Sequence, residues 1–421
     1  MLPPLKAKPR RTLIERYSPL ALTEEKLKIL FLIPHPFYQD RGSPIADDLI
    51  LQALSARGDQ VDVVTYYEGT NRNYQQVSLY RTIKVPFVQN VRPGFSWKKI
   101  VYDVLLFMQA LRLMLTKRYD LVHAVEESVF MALLLKAIFK IEYVYDMDSS
   151  LAQQMTEKYP RLGWLQPVFN FFEKIAIRNA KCVIPVCKAL ADDIAMYRPR
   201  KVAILPDVSL LKQTSASIGE DLKHQLGINS LLLMYVGNLE SYQGIDLLLA
   251  SLALVLPQAP VNLAIVGGEQ TDIQHYHQQA RRLGIHRSVH FLGAKPAREL
   301  GAYLAQADIL VSPRIKGKNT PMKIYSYLDS GKPVVATALS THTQVLSERV
   351  AMLAHPTPED FAEAILTLVH HHSLRLKLGT AGKRLVQQQY TYTSFCQKLN
   401  NLYDWLKSDI AAHRMQARYK T

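Results

Sequence analysis

The stretch "LKILFLIPHPFYQDRGSPIADDLILQALSARGDQVDVVTYY", Leu27 to Tyr67, changes its hydrophobic period twice. "LKILFLIP" is a near-continuous apolar run, the pattern of a parallel strand buried on both faces. "HPFYQDRGSP" is a polar loop carrying Gly42 and Ser43. "IADDLILQALSARG" has helical spacing and ends at Gly58, and "QVDVVTYY" returns to an extended apolar pattern. Strand, glycine-bearing loop, helix and strand within about forty residues make a βαβ unit.

The same alternation continues on the C-terminal side. "YDLVHAVE" and "IEYVYDMD" are strands with polar tips, separated by the helix "SVFMALLLKAIF", and "AKCVIPVC" and "KVAILPDV" add two more. The polar stretch Ser209 to Ser230 then interrupts the pattern. At Leu231 it restarts: "LLLMYVGNLE", "VNLAIVGG", "SVHFLGA", "ADILVSPR" and "KPVVAT" read as strands. Two βα series without hairpin signals predict two doubly wound, Rossmann-like α/β domains facing each other across a cleft. The expected boundaries are a basic arm 1–26, a first domain 27–208, a connection 209–230 and a second domain 231–389. The segment 390–421, a helix and basic tail, has too few sequence neighbours to bury itself and is expected to pack back on the domains.

A chain of 421 residues exceeds one ordinary core. Three cysteines, Cys182, Cys187 and Cys396, have no metal-ligand spacing, which fits reduced thiols and a cytoplasmic setting. The N-terminal segment has no continuous apolar h-region, and no window reaches the ~18 apolar residues of a spanning helix. The net charge of +15 admits nucleic acid, an anionic membrane or a phosphorylated substrate as partner. No RNP motif, zinc finger or aromatic-interleaved basic run is present, so a nucleic-acid partner is not expected.

Function in doubly wound sheets lies at the carboxyl ends of the strands. In the second domain, "YVGNLESYQG" offers Gly237, with Asn238 and Gln243 as neutral hydrogen-bond groups, and "IVGGEQ" offers Gly267. "VSPRIKGKNTPMK" packs Arg314, Lys316, Lys318 and Lys323 around the start of a helix that ends at Gly331. A cation there opposes the helix dipole unless an anion lies between them, which suits a diphosphate; the alternative is a solvated basic loop. In the first domain, His123, Glu126 and Glu127 end one strand, and Asp146, Asp148 and Ser149 end the next. These groups suit sugar hydroxyls. Asp146 and Asp148 equally suit a divalent cation, and Asp148 and Ser149 a helix cap.

Together, "YVGNLESYQGIDLLLAS", "AIVGG", "FLGAKPARELGAYLAQADILVSP" and "NTPMKIYSYLDSGKPVVAT" resemble, in order and spacing, family 4 glycosyltransferases of the two-Rossmann (GT-B) class. The resemblance runs from Leu27 to about Leu406. It implies transfer of a sugar from a nucleotide donor with retention of configuration, generally without a metal or other cofactor. The donor lies in the second domain, and a glycan or lipid-linked acceptor comes from the first. The family's arginine and lysine on the diphosphate loop fall here at Asn238 and Gln243, and its two glutamates at Lys318 and Ser326. Either activity is lost and the chain is a silent binding or partner subunit, or charge has moved to Arg314, Lys316, Lys318 and Lys323.

On the second reading Arg314 and Lys323 stabilise the diphosphate. Asn319, Thr320, Pro321 and Met322 bind the sugar through backbone, Ser326 reaches ribose, and Gly42 closes over the phosphates. His123, Glu126 and Asp148 are the further candidate catalytic residues, on the first-domain side, and Val125 falls near the place of the family's usual histidine.

"SWKKIVYDVLLFMQALRLMLTKR", Ser96 to Arg118, predicts a helix capped by Ser96. Its apolar stripe is Ile100, Val104, Phe107, Leu111 and Met114, with basic residues towards both ends. It is either a core helix or a basic amphipathic helix that lies on the inner face of an anionic membrane.

Overall fold

The computed structural model describes residues 26–40, 42–88, 91, 96–158, 160–211 and 221–418. The expected basic arm, Lys26 excepted, lies outside the described residues, as do residues 212–220 of the expected connection.

Twelve strands form two six-stranded sheets among the described residues. The first comprises β1 (Lys28–Ile33), β2 (Gln60–Thr65), β3 (Val77–Arg81), β4 (Leu121–Val125), β5 (Glu142–Met147) and β6 (Cys182–Pro185). The second comprises β7 (Leu231–Val236), β8 (Val261–Val266), β9 (Val289–Gly293), β10 (Ile309–Ser312), β11 (Val334–Thr337) and β12 (Met352–Ala354). Every pairing is parallel. The orders are β3-β2-β1-β4-β5-β6 and β12-β11-β10-β7-β8-β9, the same doubly wound arrangement twice. Strand order reverses between β1 and β4, and again between β7 and β10. Loops diverge at these two switch points and leave a crevice outside the strand ends.

The parallel strands are buried on both faces, which is why they read as continuous apolar runs. Two strands escaped that pattern: β3 is half exposed and β12 has only three residues. Conversely, "KVAILPDV" is not a strand. It meets β6 through an isolated bridge between Val202 and Val183 and one further hydrogen bond, from the Leu205 amide to the Pro185 carbonyl at 3.2 Å. Pro185 lacks the N–H group that would continue the ladder.

The helix Tyr392–Arg418 crosses back to the first domain. There Phe395, Leu399, Leu402, Tyr403, Leu406 and Ile410 pack with β1, β2 and the helix Gly42–Arg57. The opposite face of that sheet is covered by the helices Trp97–Thr116, Ser128–Phe139 and Gln166–Asn179. Ser96 caps the first of these, its Oγ accepting the Lys99 amide at 3.2 Å. The stripe this helix buries is Tyr102, Leu106, Ala110 and Leu113, not the expected one; Ile100 and Val104 are exposed. Aromatic Tyr102 and the small Ala110 fit closely against the sheet, a preference that hydrophobic spacing alone does not encode.

Candidate active site

Loops from the carboxyl ends of the two sheets meet across the crevice. On one side Asp40 accepts the Ala297 amide at 3.3 Å. On the other, Lys318 Nζ lies 2.6 Å from Asp193. Gln344 there donates to the Lys318 carbonyl at 2.8 Å and accepts the Ala189 amide at 3.3 Å. Met322 packs against the first domain's core.

Lys323 opens the helix Lys323–Asp329, and its ammonium turns back into the loop after β7. Nζ donates to Gln243 Oε1 at 3.2 Å and lies 3.8 Å from the centre of the Tyr235 ring. The Gln243 amide donates to Asn238 Oδ1 at 3.0 Å, and the Tyr235 hydroxyl to the Asn238 carbonyl at 2.7 Å. Asn238 and Gln243 therefore form the cradle of Lys323. Gly237 is required beside them: a Cβ there would sit 3.0 Å from Nζ, at φ 149°. At Gly267 a Cβ would come within 2.1 Å of the Gly237 carbonyl oxygen.

Arg314 is almost fully buried. Its guanidinium donates to the Lys316 carbonyl at 2.7 Å and Asn319 Oδ1 at 2.9 Å. Among the described residues no carboxylate pairs with Lys323. Burial first, and then the nearby Arg314 charge, pull its pKa well below that of an ordinary lysine.

A buried histidine supports this loop. His342 Nε2 is 2.9 Å from Ser312 Oγ, and Nδ1 is 3.0 Å from both the hydroxyl and the carbonyl of Thr337. Thr337 donates to the Arg314 carbonyl at 2.5 Å, and Thr341 to the Asn319 carbonyl at 2.7 Å. Burial lowers the His342 pKa to about 3, so the imidazole is neutral. Sequence reading missed His342, because "STHT" is an ordinary polar turn until three loops converge on it.

Several expected donor residues have other duties in the structure. Ser326 is fully buried and its hydroxyl accepts the Leu210 amide at 3.1 Å, so it braces the connection and does not face the crevice. Lys318 is committed to Asp193. Thr320 and Pro321 are buried, while Asn319 and Met322 flank them at the crevice. The helix they precede has only seven residues, so the side-chain cations outweigh its short dipole.

The first-domain side is acidic. His123 is fully buried, stacked 4.2 Å from Phe31, with Nδ1 2.6 Å from the Tyr403 hydroxyl and Nε2 3.1 Å from Asp146. It is placed to orient Asp146, not to touch a substrate. The Ser43 hydroxyl lies near Asp148 and favours its charged form. The Asp148 pKa is pushed up to about 7, by burial first and then by Asp146 and Asp47. Gly42, one residue before Ser43, is exposed with open space around it.

Glu126 holds a left-handed backbone (φ 49°) that a glutamate rarely adopts. Both its carboxylate oxygens lie within hydrogen-bond reach of the Ser149 hydroxyl, at 3.1 and 3.2 Å. Burial and then Asp148 hold its pKa well above the usual range. Asp47, bonded to His35 at 2.9 Å, and Asp207 join this group, and burial raises both. Sequence reading missed these two: Asp47 sits in an apolar helix, where its burial was the available signal, and Asp207 lies within the misread strand. Among the described residues, no three His, Cys, Asp or Glu side chains stand so as to hold a metal ion.

Two parallel six-stranded sheets flanked by helices, with their strand-end loops meeting at one crevice, are the architecture of the GT-B class of glycosyltransferases. Residues 230–371 match the family "Glycosyl transferases group 1", and residues 49–207 match the "Glycosyl transferase 4-like domain". The chain belongs to the group 1, family 4 glycosyltransferases.

A D-inositol 3-phosphate glycosyltransferase of Corynebacterium aurimucosum is 28% identical over 207 residues, 47% of this chain and 49% of the relative. The chain thus spans about half the length of that relative. Among solved structures, sucrose-phosphate synthase of Thermosynechococcus elongatus superposes with a TM-score of 0.76 at 20% identity, covering 91% of this chain and all of that one. Anabaena HepE in complex with UDP-glucose gives a TM-score of 0.69 at 18% identity, with 90% and 99% coverage. At these identities the structural likeness speaks for the fold.

Proposed function

We propose that the protein is a retaining hexosyltransferase that moves a sugar from a nucleoside diphosphate donor to a glycan or lipid-linked acceptor. The observation that carries this reading is Lys323: a half-buried lysine whose ammonium lies near a second cation and is held by a neutral amide and an aromatic face. Among the described residues no carboxylate pairs with Lys323, and a diphosphate supplies that anion.

In this scheme the diphosphate binds against Lys323 and Arg314, with Gly237, Asn238, Gln243 and Gly267 keeping the backbone close. Asn319 to Met322 line the sugar, and Gly42 and Ser43 approach from the first domain. As the glycosidic bond breaks, charge grows on the leaving diphosphate, where preorganised cations lower the barrier most. A leaving-group oxygen accepts the acceptor's proton on the same face, giving retention. The charge is met by side chains, so the scheme draws on no metal. Asp148 and Glu126 bind acceptor hydroxyls, with Asp146 and Asp47 behind them. The proposed setting is cytoplasmic, peripheral on the inner face of a membrane.

The test is thermal melting with a panel of UDP-, GDP-, ADP- and dTDP-sugars, followed by assay of donor consumption. Stabilisation by one donor together with turnover supports the proposal. Stabilisation without transfer or donor hydrolysis would favour a silent binding or partner subunit, as the non-acidic positions 318 and 326 would suit. No stabilisation by any donor would sink both donor-binding readings.

A further inference from the structure

The large apolar side chains left exposed are not spread evenly over the molecule. Eleven of them lie on one layer of the first domain. These are Trp97, Ile100, Val104, Met108 and Leu115 of the helix Trp97–Thr116; Leu134 and Ile138 of Ser128–Phe139; and Trp164, Val168, Phe171 and Phe172 in and just before Gln166–Asn179. The three helices pack side by side on the same face of the sheet. The second domain, β7 onward, exposes four such residues among those described: Leu254, Leu283, Ile315 and Leu376.

On the first helix the five exposed residues recur at intervals of three, four, four and seven, a single stripe along a cylinder about 30 Å long. This helix therefore has two apolar faces. Tyr102, Leu106, Ala110 and Leu113 are spent on the sheet, and the other face points outward. Monomeric soluble proteins rarely leave a contiguous apolar surface of this extent uncovered.

Charge selects among the possible partners. Arg112, Lys117, Arg118, Lys140 and Arg178 are exposed on or beside these helices. Their carboxylates are not. Asp103 accepts the Tyr66 hydroxyl at 2.6 Å, Glu127 is ion-paired with Lys99, and Glu173 is buried and bonded to Ser150. Lys117 is answered by Asp62 at 2.7 Å, but an apolar ridge flanked by exposed cations, with its own acids turned inward, complements the headgroups and acyl boundary of an anionic bilayer.

In doubly wound domains, helix N-termini lie at the strand ends that form the crevice, so Trp97 and Trp164 mark the end of the ridge nearest the site. The Lys99–Glu127 pair ties the first turn of the Trp97 helix to the residue beside Glu126.

We propose that this three-helix layer is a docking face for anionic lipid bilayers, seating the acceptor wall of the crevice at the lipid surface. This deepens the lipid-linked acceptor reading above and rests on it only for the acceptor.

The test is co-sedimentation of the full chain with vesicles of phosphatidylcholine alone or mixed with phosphatidylglycerol. Binding to the mixed vesicles is expected, with little to the neutral ones. Val104→Glu/Met108→Glu and, separately, Arg112→Glu/Arg118→Glu should each weaken it by about tenfold or more. Leu376→Glu, an equally exposed position in the second domain, should leave it unchanged.

All these positions are on the surface, so folding is checked by melting. The readout needs neither donor nor turnover, so its failure leaves the donor chemistry standing. Three results would overturn the proposal: no binding to the mixed vesicles, equal binding to both kinds, or full binding by Val104→Glu/Met108→Glu. A wild-type dimer that this double variant converts to a monomer, without vesicle binding, would assign the face to a second copy instead.

Discussion

Replacing Lys323 by methionine keeps the length of the side chain and removes its charge. In the free protein that charge lies near Arg314 on a half-buried side chain, held by Gln243 and the Tyr235 ring, and desolvation lowers its pKa. Removing it should leave unliganded stability unchanged or raised. With a diphosphate bound the sign reverses, because a hydrogen bond to a charged group is worth about 1.5–3 kcal/mol. Donor affinity should then fall about 10- to 100-fold. At a donor concentration of about 100 times the wild-type dissociation constant, stabilisation should drop from about 2.7 to about 0.4–1.4 kcal/mol.

The pH dependence follows by linkage. The folded-state pKa lies below the unfolded one, so between the two values the unfolded chain binds a proton that the native state lacks. Stability of the free wild type therefore rises with pH across that window, and the variant loses this rise. A donor that needs the ammonium should bind more weakly as pH increases, taking up a proton on binding. Thermal melts with and without donor, repeated across pH, measure every term. Donor affinity within twofold of wild type, or a large loss of unliganded stability, would refute the assignment.

His342 should give its own pH signature. Its folded pKa of about 3 lies below the unfolded value near 6.5, so native stability falls as pH drops through that interval. The slope is about 1.4 kcal/mol per pH unit, and His342→Gln, compared by denaturant titration, should lack it. Asp148 has the opposite sign. Its folded pKa of about 7 lies above the unfolded carboxylate value, so stability rises as pH falls from about 7 towards 4, and Asp148→Asn should flatten that rise in the same experiment. Gly267→Ala would place a Cβ 2.1 Å from the Gly237 oxygen at a φ of 116°. A cost of about 2 kcal/mol or more is expected from strain of this kind, with donor affinity falling in parallel. Lys318→Ala removes an ion pair that is more than a third exposed on both sides, so unfolding should change by less than about 1 kcal/mol, and less still in high salt.

Strands were legible wherever burial on both faces produced an unbroken apolar run, as in "LKILFLIP" or "LLLMYV". The half-exposed β3 and the three-residue β12 left no such trace, and "KVAILPDV" imitated one while joining β6 through three hydrogen bonds that form no regular strand. The cationic cluster was legible because like charges crowd into ten residues of chain. Its inner arrangement was not. Gln243, five residues beyond Asn238, holds an ammonium eighty positions away, and Ser326 turned out to brace the connection.

What the sequence determined by itself was periodicity and local chemistry: two βα series, glycines where backbones approach, cations gathered at one strand end and carboxylates at others. These follow from interactions between near neighbours in the chain. Only the tertiary structure decided which residues share a surface. Burial on the sheet set which stripe of the Trp97 helix is spent inward and which faces out. The convergence of β10, β11 and the turn after them made His342 a support and, among the described residues, left Lys323 without a carboxylate. Such outcomes depend on contacts between residues far apart in sequence, whose free energy is settled only when both sides of the packing are present.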